Sequence, residues 1–217
     1  MKTAIADVLA QDLELAYITD ADPPGLGLYT TITVAGQPMN VVVDTSSIRL
    51  LYVWQDAYEK ARGVGACKRM FYHCYSCGRH QCKPQDTSNV TLGDGTSALI
   101  FRWADDMRVG GRNFMLMKFG LIFASEPTFA ERTPHGVLGL GNDAGQYYPT
   151  IMDQLGVRIP YSKNMFTLYL RHSFGGNVPA RGDLLIGGAD KSAYVPPLRY
   201  MEFRVDERRV GFAEVSK

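Results

Sequence analysis

Several absences narrow the reading of this 217-residue chain. It has no charge excess: Lys+Arg is 23 and Asp+Glu is 22, a net charge of +1. Nothing in that balance drives phosphate binding, which excludes nucleic acid as the main partner. It has no long apolar run. The longest stretches fall far short of the ~20 residues a membrane span needs. It has no internal repeat and no low-complexity tract. What is present is an ordinary globular composition, 46% apolar and 21% charged, able to bury a sizeable core. The length suits one or two domains. The start, MKTAIADVLAQDLELAY, lacks an uninterrupted apolar region of ~7–15 residues, the core of a secretion signal. Asp7 interrupts it, and Asp12 and Glu14 follow. The expectation is a short amphipathic segment or the edge of the fold.

Helix signals are scarce and strand signals are frequent. Tyr29–Val34 (YTTITV) and Met39–Val43 (MNVVV) flank Ala35-Gly36-Gln37-Pro38, which predicts a hairpin. Further β-prone pieces lie at 97–103, 113–123, 165–170 and 183–186, separated by Gly93-Asp94-Gly95, Gly110-Gly111, Gly175-Gly176 and Gly187-Gly188. Gly110-Gly111 predicts a second hairpin. A turn or two of helix is expected within 54–63, and a short helix opening at Pro149. The expected class is all-β, a sandwich or barrel.

All four cysteines fall within one stretch: Cys67, Cys74, Cys77 and Cys82, with His73 and His80 among them. Thiolates and imidazoles suit zinc, but only one C-x2-C pair is present. An even count in one loop favours two local disulfides, which need an oxidising compartment; three pairings are open. No metal and no cofactor is expected. Asn89-Val90-Thr91 is a glycosylation sequon of the kind that recurs by chance.

The informative segment is Val41-Val42-Val43-Asp44-Thr45-Ser46-Ser47. An apolar strand runs into a carboxylate followed by hydroxyls, whose donors can hold an ionised Asp in place. The commoner role of a strand-end Asp is an Asx-turn. The surroundings favour the first role. LYTTITVAGQPMNVVVDTSS resembles the first hairpin and active-site strand of pepsin-like aspartic peptidases, whose motif is hydrophobic-hydrophobic-Asp-Thr-Gly-Ser. Val90-Thr91-Leu92-Gly93-Asp94-Gly95-Thr96 resembles the family's flap hairpin. His135-Gly136-Val137-Leu138-Gly139-Leu140-Gly141 resembles its Asp-Gly-Ile-Leu-Gly-Leu segment, which crosses behind the active-site loop as a ψ. Phe166–Leu170 and Asp183–Asp190 resemble two later motifs, and all five occur in family order.

The resemblance implies a pepsin-like acid protease fold. It would comprise a lead segment 1–28, an N-terminal lobe 29–200 of β-hairpins and ψ-loop, and a strand remnant of an incomplete second lobe at 201–217. The lobe would hold the Cys-rich loop 67–82 and a flap at 90–98. The resemblance makes Asp44 catalytic and Thr45, Ser46 and Ser47 its loop. Leu92, Gly93, Asp94 and Gly95 become the flap over the cleft, and Val137, Leu138 and Gly139 the ψ support. The implied partner is a polypeptide substrate or an extended peptide ligand. The implied location is secreted or lysosomal/vesicular, against a start without a convincing signal.

Four positions depart from the family pattern. Ser46 replaces a Gly, Leu92 the flap Tyr, Leu51 the Trp bonded to that Tyr, and His135 an Asp, the last expected to be a surface change. The largest departure is that no second Asp-Thr-Gly or Asp-Ser-Gly occurs, and Asp20, Asp22, Asp183 and Asp190 lie in other contexts. Family members cleave peptides with two carboxylates sharing one proton, one as base and one as acid. A single copy with Asp44 alone is therefore expected to be an inactive or impaired endopeptidase. The alternatives are a non-catalytic peptide-binding module and a homodimer giving two Asp44, as retroviral proteases do. A lobe without its mate is also expected to expose apolar surface and self-associate.

Overall fold

The computed structural model describes residues 8–19, 24–78, 81–141, 147–159, 164–171, 180–190 and 192. The C-terminal strand remnant, Asp20, Asp22, His80 and Gly175-Gly176 lie outside the described residues. Ten strands make up the described fold: β1 (Leu9–Ile18), β2 (Gly25–Val34), β3 (Gln37–Asp44), β4 (Leu50–Val53), β5 (Thr87–Thr91), β6 (Ser97–Val109), β7 (Arg112–Glu126), β8 (Val137–Gly139), β9 (Phe166–Arg171) and β10 (Ala180–Ile186). Two short helices accompany them, α1 (Gln55–Arg62) and α2 (Ile151–Gly156). The expected all-β class is the observed one. The strands form one sheet in the order β5-β6-β7-β4-β8-β3-β2-β1-β10-β9, and β6 bends round to pair with β2 as well.

Both predicted hairpins form. Ala35 and Gly36 join β2 to β3 with φ of 48° and 78°. Gly110 and Gly111 join β6 to β7 with φ of 55° and 78°. Positive φ at both central residues matches the right-handed twist of the flanking strands. The N-terminal stretch departs from expectation. β1 is neither a free amphipathic segment nor an edge; it lies between β2 and β10 and pairs with both. Its buried Leu9, Leu13 and Ile18 do not alternate strictly, so the pattern hides a strand whose backbone is satisfied on both sides. A boundary placed before Tyr29 runs through β2. The second helix also starts differently. Thr150, not Pro149, begins it: Thr150 Oγ1 accepts from the Asp153 N–H at 3.1 Å, and the Asp153 carboxylate accepts from the Thr150 N–H at 3.2 Å. That reciprocal pair satisfies two donors that a helix start leaves open.

The cysteines pair as Cys67–Cys74 and Cys77–Cys82, so no thiolate is left for zinc. Tyr75, between the two bridges, ties this loop to the sheet. Its N–H donates to Val53 O at 2.8 Å and its hydroxyl to Asp105 Oδ2 at 2.6 Å.

Two features set the architecture around Asp44. The first is alternation in β3: Met39, Val41 and Val43 are buried, so Asp44 projects from the opposite face. The second is the crossing strand. β8 inserts between β3 and β4, parallel to β3 (Val42↔Val137, Asp44↔Gly139) and antiparallel to β4 (Leu50↔Leu138). The chain from 44 to 50 must therefore loop around β8. The crossing segment donates three backbone bonds into that loop: Gly139 N–H to Arg49 O (2.9 Å), Leu140 N–H to Asp44 O (2.9 Å) and Gly141 N–H to Ser47 O (2.8 Å).

The approach is close enough to exclude a side chain. A Cβ at Gly139 would lie 2.5 Å from Arg49 N, 2.6 Å from Ser47 O and 2.7 Å from Arg49 O, all backbone atoms. Gly139→Ala is expected to cost about 3 kcal/mol or more, because the loop itself must move. Gly156→Ala is the control, since nothing lies within 4 Å of its Cβ position. It is expected to be neutral or stabilising by a few tenths of a kcal/mol, roughly. Urea denaturation of the two variants checks the contrast.

Candidate active site

The Asp44 carboxylate is half-buried at the end of β3. Its Oδ1 accepts from the Ser46 N–H at 2.8 Å and from the Ser46 hydroxyl at 2.7 Å. This is the local geometry of an Asx-turn, and it also fixes the carboxylate, so the two readings of Asp44 describe one structure. Ser46 does not crowd the acid. Its side chain turns in and adds a second donor to the same oxygen. Ser47 serves the loop: its O accepts from Gly141, and its Oγ from the Arg49 N–H at 3.4 Å. Thr45 is exposed.

The turn between β5 and β6, the expected flap, comes down on this site. Its turn is closed by Leu92 N–H to Thr96 O (2.8 Å) and Gly95 N–H to Leu92 O (3.0 Å), with Gly95 at φ +82°. Asp94 Oδ1 accepts from the Thr96 N–H at 2.9 Å. Gly93 is placed so that a Cβ there would sit 3.5 Å from Asp44 Oδ2 and 4.0 Å from Ser46 Oγ. The turn therefore lies over the free side of the carboxylate, with a gap about one methyl group wide between Gly93 and Oδ2. Leu92 and Leu51 are both buried in one apolar cluster with Ile122 and Val137. An apolar pair here leaves no hydroxyl or indole N–H stranded. Val137, Leu138 and Gly139 lie buried behind the Asp44 loop.

His135 is not a surface change. The crossing segment enters the sheet beneath the flap, so this residue is half-buried with its ring 5.6 Å from that of Tyr72. Burial holds its pKa below the ordinary histidine value; Asp94 and Asp44 oppose that shift and Arg132 reinforces it. Arg132, which no motif marked, sends one guanidinium N–H to Thr96 Oγ1 at 3.0 Å and places the other nitrogen 3.3 Å from Asp94 Oδ2. Its only sequence signal is a cation three positions before His135.

Other carboxylates stand apart. Asp86-Thr87-Ser88 repeats the tripeptide of the active-site loop without an apolar strand before it. Asp86 is exposed and paired with Arg102 at 2.7 Å. Asp183 is buried in β10 and bonded to Arg171 at 2.9 Å. Among the described residues no group of three or more His, Cys, Asp or Glu is arranged to hold a metal ion. The arrangement at Asp44 is suited to one task. An oriented carboxylate with one oxygen held by two donors can take a proton from a neighbouring water.

Residues 28–215 match the eukaryotic aspartyl protease family. Rhizopuspepsin-2 of Rhizopus niveus is 30% identical over 142 residues, covering 56% of this chain and 34% of that protein. A protein of Aspergillus fumigatus named probable aspartic-type endopeptidase opsB is 24% identical over 212 residues, covering 86% of this chain and 40% of its own length. The chain thus spans well under half of each of these relatives. With the hairpin, flap and ψ crossing all in family order around Asp44, this chain belongs to the eukaryotic aspartyl protease family.

Proposed function

We propose that this chain presents Asp44 as one carboxylate of an aspartic endopeptidase site and that a single copy does not complete the reaction. The observation that carries the reading is the Asp44 carboxylate itself. One oxygen is fixed by two Ser46 donors and the other faces the flap. The substrate class is an extended polypeptide, laid along the flap by strand addition.

Hydrolysis needs two proton movements. A base takes a proton from the attacking water, and an acid gives one to the scissile carbonyl as the tetrahedral centre forms. Asp44 supplies the first. No second Asp-Thr-Gly or Asp-Ser-Gly in the 217-residue sequence supplies the other. Asp86 and Asp183 are engaged by arginines in other parts of the fold. Thr45, exposed beside Asp44, is free of the lobe core and available to a loop facing it. The family is typically secreted or vacuolar, and two disulfides in one loop suit an oxidising compartment. No described helix is long and apolar enough to cross a membrane.

The test is peptide cleavage in acid, followed as a function of protein concentration, with sedimentation on the same samples and Asp44→Asn as control. Monomeric protein is expected to release no product above the Asp44→Asn background. Product formed in proportion to monomer, and lost in Asp44→Asn, overturns the reading. Activity that rises with the square of concentration and tracks a dimer assigns the second carboxylate to a second copy.

A further inference from the structure

We propose that Arg132 is a positioning residue that clamps the flap turn down onto Asp44, and that peptide access to the cleft requires this clamp to release. The functional meaning rests on the reading of Asp44 as a peptidase carboxylate; the clamp itself does not.

The geometry is two-pronged. One prong of the Arg132 guanidinium donates to Thr96 Oγ1 at 3.0 Å and the other reaches Asp94 Oδ2 at 3.3 Å. Thr96 and Asp94 lie on either side of Gly95 in the flap turn and are bonded to each other through the Thr96 N–H. Arg132 therefore grips both ends of one tight turn. A planar guanidinium with two fixed donors suits this task as an ammonium does not. Neither partner is well exposed, with side-chain accessibilities of 20% and 27%. The ion pair is therefore less screened than a surface pair.

The base of the clamp is itself anchored. The Glu131 and Arg132 N–H groups both donate to Thr128 O at 2.9 Å, and the Thr128 N–H and hydroxyl both donate to Glu131 Oε2. Arg62 Nε donates to Phe129 O at 2.6 Å, which ties the same loop to α1. The arginine thus projects from a fixed platform onto a hairpin tip.

The clamp also determines access. A methyl group added at Gly93, the residue before Asp94, would just touch Asp44 Oδ2, so the gap between turn and carboxylate is about one methyl group wide. A peptide strand laid between flap and floor needs about 4.8 Å to each neighbouring strand. The turn must lift before a peptide can enter. The space beside it is filled as well. The cavity lined by Leu92, Asp94, Thr96, Arg132, Pro134 and His135 measures about 10 Å3, room for roughly one water. The Leu92 and Leu51 side chains provide no hydrogen bond to hold the flap, whereas Arg132 bonds it at both Thr96 and Asp94.

His135 makes the clamp sensitive to acid. It faces Asp94 on the flap, Arg132 on the same loop, Asp44 on β3 and the Tyr72 ring of the Cys-rich loop. Burial keeps it neutral near neutral pH. Its folded pKa is depressed, so its contribution is intact above the ordinary histidine value of about 6.5 and is lost as pH falls through the lowered one. The proton places a second cation beside Arg132, which repels it and competes with it for Asp94. Burial works to raise the Asp94 pKa, but the Thr96 N–H and hydroxyl, then His135 and Arg132, outweigh it and hold the carboxyl below its usual value. Asp94 therefore stays charged to lower pH than an ordinary Asp. Over the interval between the two, the state of His135 sets the strength of the clamp.

Hydrogen exchange of the full chain tests this, read as protection of amides 92–96 against those of the β2–β3 hairpin. Arg132→Met is expected to lower flap protection about tenfold near pH 7 with the hairpin unchanged, as loss of a charge-assisted bond implies. Arg132→Lys is expected to recover part of it. Asp94→Asn, which keeps the shape of the turn, is expected to match Arg132→Met and serves if that variant does not fold. Wild-type flap protection is expected to fall between about pH 7 and about pH 4, and His135→Gln to flatten that fall. Flap protection unchanged in Arg132→Met and Asp94→Asn, or lost equally across the lobe, overturns the clamp. A pH dependence unaffected by His135→Gln overturns the role of that residue. None of these readouts requires peptide cleavage, so an inactive protein leaves the test intact. Association of a labelled apolar octapeptide, faster in Arg132→Met than in wild type, links the clamp to access; failure of any variant to bind it counts against the peptidase reading and not against the clamp.

Discussion

Three backbone N–H groups hold the loop that carries the Asp44 carboxylate. Gly139, Leu140 and Gly141 donate to Arg49, Asp44 and Ser47, and this ladder exists only because β8 passes between β3 and β4. A strand-end carboxylate on a free loop would sample many orientations. Here its backbone is bonded from behind and its side chain is held from in front by Ser46. The orientation of Asp44 thus follows from backbone topology first and from side-chain chemistry second. The glycine at 139 is the residue that topology demands, because backbone atoms occupy the place of its Cβ.

The same site holds an apolar pair and a charged pair around one turn. Leu51 and Leu92 lie buried in one apolar cluster, at positions where the family resemblance implies a hydrogen-bonded Trp and Tyr. The flap keeps its place by other means: an arginine on an anchored loop and a carboxylate in the turn. In the proposed clamp, a charged bond controls the flap. A charged bond responds to pH and to a neighbouring histidine in a way that an apolar pair cannot.

Much of the fold was legible in the sequence because its signals are local. The β-prone runs 29–34 and 39–43 and the Ala35-Gly36 and Gly110-Gly111 turns specify hairpins from a few residues each. Membership of the aspartyl protease family was legible from motifs in order along the chain. What escaped depends on distant partners. β1 reads as an irregular amphipathic stretch because its strand character comes from pairing on both sides with β2 and β10, more than 150 residues apart in sequence at their farthest points. His135 reads as a surface change because nothing in its neighbours reveals the flap above it. Arg132 carries no motif at all; its role arises from a turn formed by residues 36 positions earlier. The disulfide pairing, open among three choices in sequence, is settled by which cysteines the loop brings together.

The central claim is that Asp44 is a well-placed base lacking its acid. The most direct test compares two peptides binding to monomeric protein in acid, one carrying a tetrahedral secondary alcohol at the scissile position and one a simple methylene. A complete site recognises the alcohol as a transition-state mimic, a gain of about a thousandfold or more. With a single carboxylate, titration calorimetry is expected to find the two affinities within about a hundredfold of each other, the worth of one hydrogen bond to a charged group. A gain of the larger size in a verified monomer would contradict the account.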